Sequence, residues 1–471
     1  LQCVWPPFNH LAEAVTDTPN QRIGLPRPVH CPVGYPRERN VPLRRSRRAE
    51  TLRVLHVNKF LFRKGGAESY MLDLAELQRG AGDEVAFWGM QHRDNPRPQP
   101  LEDTFPSYVE LEPSPRGATA LSTAARMIWS PSSKHGLDMA LRRFKPDVVH
   151  CHNIYHQLSP SILSPVRRSG TACVMTLHDY KLACPSYQML DHGRPCDLCV
   201  TGGTWHAAKQ RCKEGSLLAS TLLSVESGVH RMIHAYAPVG VFISPSQFLA
   251  NVMERSGVES ERIKVVNHFI DLQNTPSSDG SATGFLFVGR LSPEKGVDTL
   301  IEAVARMPQD TRLDIAGDGP SRAILERLAG ERAPGRVTFR GRVAAGQVRE
   351  LLAGSIASVV PSRWYENQPM AILESFAARV PVVATNLGGI PELIQDEVEG
   401  LVVAPDDPAA LAAAMRRLSD DPDWAHRMGT NAHLRLREHF SPEGHLERLA
   451  EVYENARVVA SSARQGLVGH G

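Results

Sequence analysis

The chain has 471 residues, 42% hydrophobic and 22% charged, which suits two or three globular domains and excludes wholesale disorder or a fibrous repeat. Lys and Arg number 53 against 51 Asp and Glu, a net charge of +2, so no broad basic footprint for nucleic acid covers the chain. No stretch approaches the roughly 18 consecutive apolar residues of a membrane-spanning helix.

Residues 1–50 stand apart. They are rich in Pro and Arg, end in Arg44-Arg45-Ser46-Arg47-Arg48, and keep no apolar period. They also lack the continuous apolar core of a signal peptide. This composition predicts a disordered basic extension. A basic arm touching anionic lipid or another polyanion is the alternative.

From residue 52 the pattern changes. Residues 52–57 read as a buried strand, followed by a helix from about Ala67 with Tyr70, Met71, Leu74 and Leu77 on one face. Gly80 and Gly82 close it. Further strands are predicted at 84–88, 147–150, 172–177, 239–243 and 263–266, with helices between most of them, while 93–136 carries no clear period. The second half repeats the alternation, with strands at 285–288, 312–316, 337–339, 357–360, 380–384 and 401–403. Helices fall at 297–307, 321–328, 347–352, 369–378 and 408–418. Strands alternating with helices predict parallel sheets covered on both faces. The expected organisation is therefore an α/β chain of two Rossmann-like, doubly wound domains. The first spans 51–274 and the second 275–440, joined by a Ser/Asp/Gly-rich linker at 272–284. A last helix at about 442–456 and a tail make up 441–471.

Ligands of doubly wound sheets sit beyond the carboxyl ends of the strands, and the informative residues follow strands here. Glu366 precedes a helix that Pro369 should open, with Gln368 as its cap, and Glu374 lies inside that helix. Glutamates so placed can grip two ends of an extended ligand. The free amides near Met370 and Ala371 suit an anion between them. The turn from Gly289 to Gly296 carries Arg290 and Lys295, cations suited to neutralising a departing diphosphate. A surface turn with solvated charges is the alternative. Gly65-Gly66-Ala67-Glu68 and His178-Asp179 also follow strands and could meet an anion or sugar hydroxyls.

Together these residues resemble the retaining GT-B glycosyltransferases of family 4. The resemblance covers about residues 52–460. It rests on the Gly65–Glu68 turn, Ser244-Pro245-Ser246, the run 289–296, Gly317-Asp318-Gly319-Pro320, the Glu366/Glu374 pair and Gly388-Gly389-Ile390-Pro391-Glu392. It implies a GT-B fold whose two domains face a cleft, and transfer of a sugar from a nucleotide-sugar donor to a saccharide or lipid-linked acceptor with retention at the anomeric carbon. It implies a clamp of Arg290 and Lys295 on the diphosphate, Glu366 on the transferred sugar and Glu374 on the ribose. Asn367, Gln368, Met370 and Ala371 would assist, with Gly65 and Gly66 near the diphosphate. His178 would sit near the sugar and Arg342 near the base. It further implies no catalytic metal, and a cytoplasmic setting that includes the inner face of the membrane. A nucleotide-sugar epimerase of the same architecture and a non-catalytic sugar-nucleotide-binding protein are the competing readings.

Cys184, Cys196, Cys199 and Cys212 fall in one loop-rich insertion, 184–212, and the C-x2-C pair has the form of a structural zinc knuckle. Reduced thiols and disulfides are the alternatives. His150, His152 and His156 could imitate a metal cluster but are expected to line the cleft.

Overall fold

The computed structural model describes residues 50–111, 118–271 and 282–468, without the side chains of 118–121 and 463–468. Residues 1–49 of the expected extension and 272–281 of the expected linker lie outside the described residues. In chain order the strands are β1 (Arg53–Val57), β2 (Glu84–Trp88), β3 (Val148–Cys151), β4 (Ala172–Thr176), β5 (Leu190–Asp191), β6 (Arg194–Pro195), β7 (Val241–Ser244) and β8 (Ile263–Val265). They continue with β9 (Phe285–Val288), β10 (Leu313–Ala316), β11 (Val337–Gly341), β12 (Ala357–Val360), β13 (Val382–Thr385) and β14 (Gly400–Val403). Each predicted strand appears within a residue or two.

Two parallel six-stranded sheets result, ordered β2-β1-β3-β4-β7-β8 and β11-β10-β9-β12-β13-β14, while β5 and β6 form a small antiparallel pair. The second order is that of the Rossmann fold; the first is the flavodoxin-like variant, with its third strand beside the first. Each sheet reverses direction of growth once, between β1 and β3 and between β9 and β12. A doubly wound sheet opens its binding crevice at that switch.

The strands are short, apolar and β-branched, as parallel strands buried on both faces must be. On one face of the first sheet, Val54, Val148, Val174 and Val241 pack with Tyr70 and Leu74 of the helix Gly66–Gly80. The final helix, Pro442–Val468, reaches the same face and buries Leu449, Val452, Tyr453 and Ala456 there.

Three amphipathic helices lie outside the sequence expectation: Ala118–Ile128 within 93–136, Pro131–Phe144 running out of it, and Pro422–His439 after the second sheet. Cap chemistry was nevertheless present in the last two. Ser130 accepts from the Ser133 amide and Asp421 from the Trp424 amide, each just before a proline in the first turn.

One turn admits only glycine. Gly317 adopts φ +153°, and a Cβ there would lie 1.8 Å from the Gly289 carbonyl oxygen. The amides of Gly289 and Leu291 bond the carbonyls of Ala316 and Asp318 across the same gap, at 3.0 Å each. Gly317→Ala must pry these turns apart, and we expect a loss of about 3 kcal/mol of unfolding free energy in denaturant titration.

Candidate active site

The strand ends of the two sheets converge on a cavity of about 420 Å³. The first sheet contributes Gly66, Asn153, His178 and Asp179, the second Gly289, Lys295, Glu366 and Glu374. A cavity of about 460 Å³ elsewhere, walled by His230, Arg231, Tyr236 and Arg262, shares no residue with it. The smaller one holds the switch point of each sheet and is the candidate site.

Lys295 ends a single 3-10 turn after β9, and Glu366 lies in the loop after β12, so the switch point brings them together. Lys295 Nζ donates to Glu366 Oε1 at 2.7 Å, and Ser362 Oγ donates to the same oxygen at 2.6 Å. Burial pushes the Glu366 carboxyl up, but the charge of Lys295 and these hydrogen bonds outweigh it and hold the group below its usual range. Glu374 sits half-buried on the helix Met370–Ala377, and burial raises its carboxyl against a weaker pull from Arg349. The helix starts one residue later than expected, with Pro369 at its N-cap. Met370 and Ala371 line the cavity in its first turn.

Gln368 does not cap the helix with its side chain. Its Oε1 accepts from the His268 amide at 2.7 Å and its Nε2 donates to the His268 carbonyl at 3.2 Å. Asn367 likewise reaches the first sheet, accepting from Ser246 Oγ at 2.8 Å and donating to the Leu177 carbonyl at 3.2 Å. Both side chains are spent on joining the halves. The motif at 388–392 serves the same seam. A Cβ on Gly389 would meet the Asn367 carbonyl at 2.0 Å, and Glu392 accepts from the amides of Gln247 and Phe248 at 2.7 and 2.6 Å. Those amides open the helix Gln247–Arg255, where a carboxylate is favoured. Glu392→Ala is expected to lower the unfolding free energy by about 1.5 kcal/mol, the low end for charge-assisted bonds because this pair is partly exposed. Urea titration beside Glu392→Gln measures it.

Of the remaining predicted residues, Gly66 and His178 line the cavity, whereas Gly65, Arg290 and Arg342 do not, and both arginines are exposed. Gly65 is the N-cap of the helix Gly66–Gly80.

His150 within β3 and His152 and His156 after it do not line the cleft, which corrects the expectation. All three are buried, His150 because β3 is an inner strand whose faces are both covered. His150 pairs in register with His56 of β1, a residue no motif signalled. His56, His150 and His152 bring one ring nitrogen each within 4.8 Å of one another, a grouping able to hold a metal ion. In the protein as described, these nitrogens are already engaged by hydrogen bonds.

His156 belongs to a second buried group that the sequence also hid. Its Nδ1 meets Glu226 Oε1 at 3.0 Å, and Lys181 Nζ donates to Glu226 Oε2 at 2.8 Å and to the Pro185 carbonyl at 3.1 Å. The pair anchors the start of the cysteine-bearing segment. Within it, burial lifts the thiols of Cys196 and Cys212, the latter to about 11. Cys184 Sγ lies 3.2 Å from Ser186 Oγ, and the Cys184 and Cys199 thiols perturb each other, the first drawn down and the second pushed up. All four are free thiols, and among the described residues no three of these sulfurs come within 4.8 Å of one another.

With the geometry in place, the chain can be compared with known proteins. Residues 64–274 match the family model Glycosyltransferase Family 4, and residues 273–435 match Glycosyl transferases group 1. Alpha-D-kanosaminyltransferase of Streptomyces kanamyceticus is 38% identical over 172 residues, 36% of this chain and 44% of that protein. A glycogen synthase of Mycobacterium tuberculosis is 31% identical over 263 residues, 51% of this chain and 63% of that protein. The chain thus spans about half the length of these curated relatives. Among solved structures, sucrose-phosphate synthase from Thermosynechococcus elongatus superposes with a TM-score of 0.65 at 18% identity, covering 87% of this chain and all of that one. Anabaena HepE in complex with UDP and glucose gives 0.60 at 18%, covering 86% and 99%. At these identities the structural likeness speaks to the fold.

Proposed function

The chain belongs to the GT-B glycosyltransferases, joining a Family 4 segment to a group 1 segment, and on that premise we propose that it moves a sugar from a nucleotide-sugar donor to a saccharide or lipid-linked acceptor with retention of the anomeric configuration. The observation that carries this reading is the Lys295–Glu366 pair, 2.7 Å apart in a cavity also lined by Gly66 and His178. Lys295 neutralises the diphosphate as it leaves with added negative charge, and Arg290, exposed on the same turn outside the cavity wall, adds its charge from farther off. The amides at the start of the helix Met370–Ala377 face the same phosphates. Glu366 is held ionised to accept hydrogen bonds from hydroxyls of the transferred sugar. Glu374 takes the ribose hydroxyls, and Arg342 borders the base. Polysaccharide or glycolipid synthesis is the setting that fits, in the cytoplasm or at the inner face of the membrane. No helix among the described residues is long and apolar enough to cross a membrane.

A panel of UDP-, GDP-, ADP- and TDP-sugars, scored by nucleoside diphosphate release and product anomer, tests the reading. Release that depends on an acceptor and a retained anomer support it. An epimerised donor formed without acceptor overturns it in favour of an epimerase.

For the cysteine segment we propose a structural zinc drawn onto Cys184, Cys196, Cys199 and Cys212. The C-x2-C spacing, the mutual perturbation of the Cys184 and Cys199 thiols and a segment with little core of its own support it. Elemental analysis of purified protein should find about one zinc per chain, reduced in Cys199→Ser. A ratio near zero overturns it.

A further inference from the structure

Behind the cavity runs a hydrogen-bonded file of side chains whose direction can be deduced. Its far end is the backbone carbonyl of Asn267, which can only accept. His445 Nδ1 lies 2.8 Å from it and must therefore carry the proton. Burial draws the His445 imidazole down to about 4, so the ring is neutral and its Nε2 is an acceptor. Tyr70 then donates its hydroxyl to His445 Nε2 at 3.0 Å. The direction of the rest of the file is set by the Gln78 amide, whose Nε2 donates to the Tyr453 oxygen and whose Oε1 faces His56.

Thr176 Oγ1 lies 2.7 Å from His150 Nε2. His150 is neutral by burial, so its Nδ1 accepts from Tyr453 O–H at 2.8 Å. The Tyr453 oxygen accepts from Gln78 Nε2 at 3.0 Å, which turns Gln78 Oε1 toward His56. His56 Nε2–H donates to that oxygen at 2.7 Å, and His56 Nδ1 accepts from His152 Nε2–H at 3.0 Å. His152 Nδ1 finally accepts from His178 Nε2–H at 3.0 Å. Burial keeps His56, His152 and His178 neutral as well. His178 lines the cavity, and its Nδ1 makes no hydrogen bond among the described residues.

We propose that this file, oriented by the Gln78 amide, holds His178 in its Nε2–H form so that its bare Nδ1 meets the transferred sugar as an acceptor, with Gln78, His56 and His152 as positioning residues. The inference rests on the sugar-transfer reading and deepens it. The group on the sugar facing His178 must supply a proton, as a hydroxyl does. A carboxylate there, as on a uronic acid, meets a lone pair and is rejected. The final helix takes part directly, because His445 and Tyr453 are both on it. None of these positions except His178 follows a strand with a recognisable motif.

Long-range proton–nitrogen correlation spectra of the full chain labelled with ¹⁵N-histidine, at neutral pH, read the tautomers. Single His→Asn variants assign the signals. Expected are Nε2–H forms for His56, His150, His152 and His178, and the Nδ1–H form for His445. His178 as Nδ1–H, or charged, overturns the proposal. Gln78→Met removes the link, and His178 should then show both tautomers while KM for the donor rises about 3- to 10-fold with kcat little changed. An unchanged tautomer in a folded Gln78→Met protein also overturns it. Should that variant not fold, the wild-type spectrum alone decides. The spectrum needs no substrate: the expected tautomers in a protein that transfers no sugar refute the activity and leave the polarity standing, whereas transfer with the opposite tautomer refutes the polarity alone.

Discussion

The Lys295→Met protein is expected to lose roughly 10- to 150-fold in kcat/KM with its best donor, the equivalent of one charge-assisted hydrogen bond of about 1.5–3 kcal/mol. Two effects combine. On the proposed reading, the departing diphosphate loses a cation beside it. Glu366, 5% exposed, also loses the charge that keeps it ionised against burial. The sign for pH follows. With Lys295 present the Glu366 carboxyl sits below its ordinary value, so its contribution is complete above about pH 4.5 and fades as pH falls through the lowered value. Without Lys295 that midpoint moves upward. The activity of Lys295→Met should therefore fall off at a higher pH than that of the parent. Glu366→Gln should lose activity without this acid limb, and the double variant should be less impaired than the product of the two singles. Near-normal transfer by Lys295→Met removes the clamp from the chemistry.

Glu226→Gln should be among the most destabilising substitutions, by about 3–5 kcal/mol, because it strands a buried ammonium. The Lys181 side chain is 4% exposed and that of Glu226 is 0%. Burial opposes ionisation of Glu226, but Lys181 first and then His156 pull its carboxyl far below the usual range. That stabilisation is present above about pH 4.5 and is lost as pH falls. His56, His156 and His445, held near 4 by burial, work in the same direction: the unfolded chain takes up protons below about pH 6.5 before the folded one does. Stability should thus rise with pH between about 4 and 6.5. Urea titrations of parent and Glu226→Gln across that range measure both effects. Removing both charges, as Lys181→Met with Glu226→Leu, should recover part of the loss. A Glu226→Gln protein within 1 kcal/mol of the parent would mean that water reaches Lys181.

Much of the candidate site could be read before any coordinates. Lys295, Glu366, Glu374, Gly66 and His178 all lie just past strands, and the crevice of a parallel sheet is built from those positions. The spacing of charges around 290–296 and 366–374 brought Lys295, Glu366 and Glu374 to one cavity, since it reflects local backbone geometry. Arg290 and Arg342 share that local logic, yet their side chains leave the cavity wall. Direction is a matter of rotamer and neighbours, which spacing does not encode. Asn367 and Gln368 were legible as site residues but not as the stitching between halves, because their partners at 177, 246 and 268 are remote in sequence.

The buried polar groups were hidden for a related reason. His56 and His150 look like polar interruptions in strands until β1 and β3 pair and place them side by side. Glu226 looks like a solvated helix charge until Lys181 is folded against it. The amino-acid sequence by itself determined the alternation of strands and helices, their parallel pairing and the loops that carry the charges, because periodicity and glycine placement act over a few residues. Only the tertiary structure decided the differing strand orders of the two sheets, the return of the last helix to the first sheet, and the direction of the hydrogen bonds behind His178. Each of those depends on groups tens to hundreds of residues apart meeting in a space that excludes water, where a polar atom must find a partner or be lost to the fold.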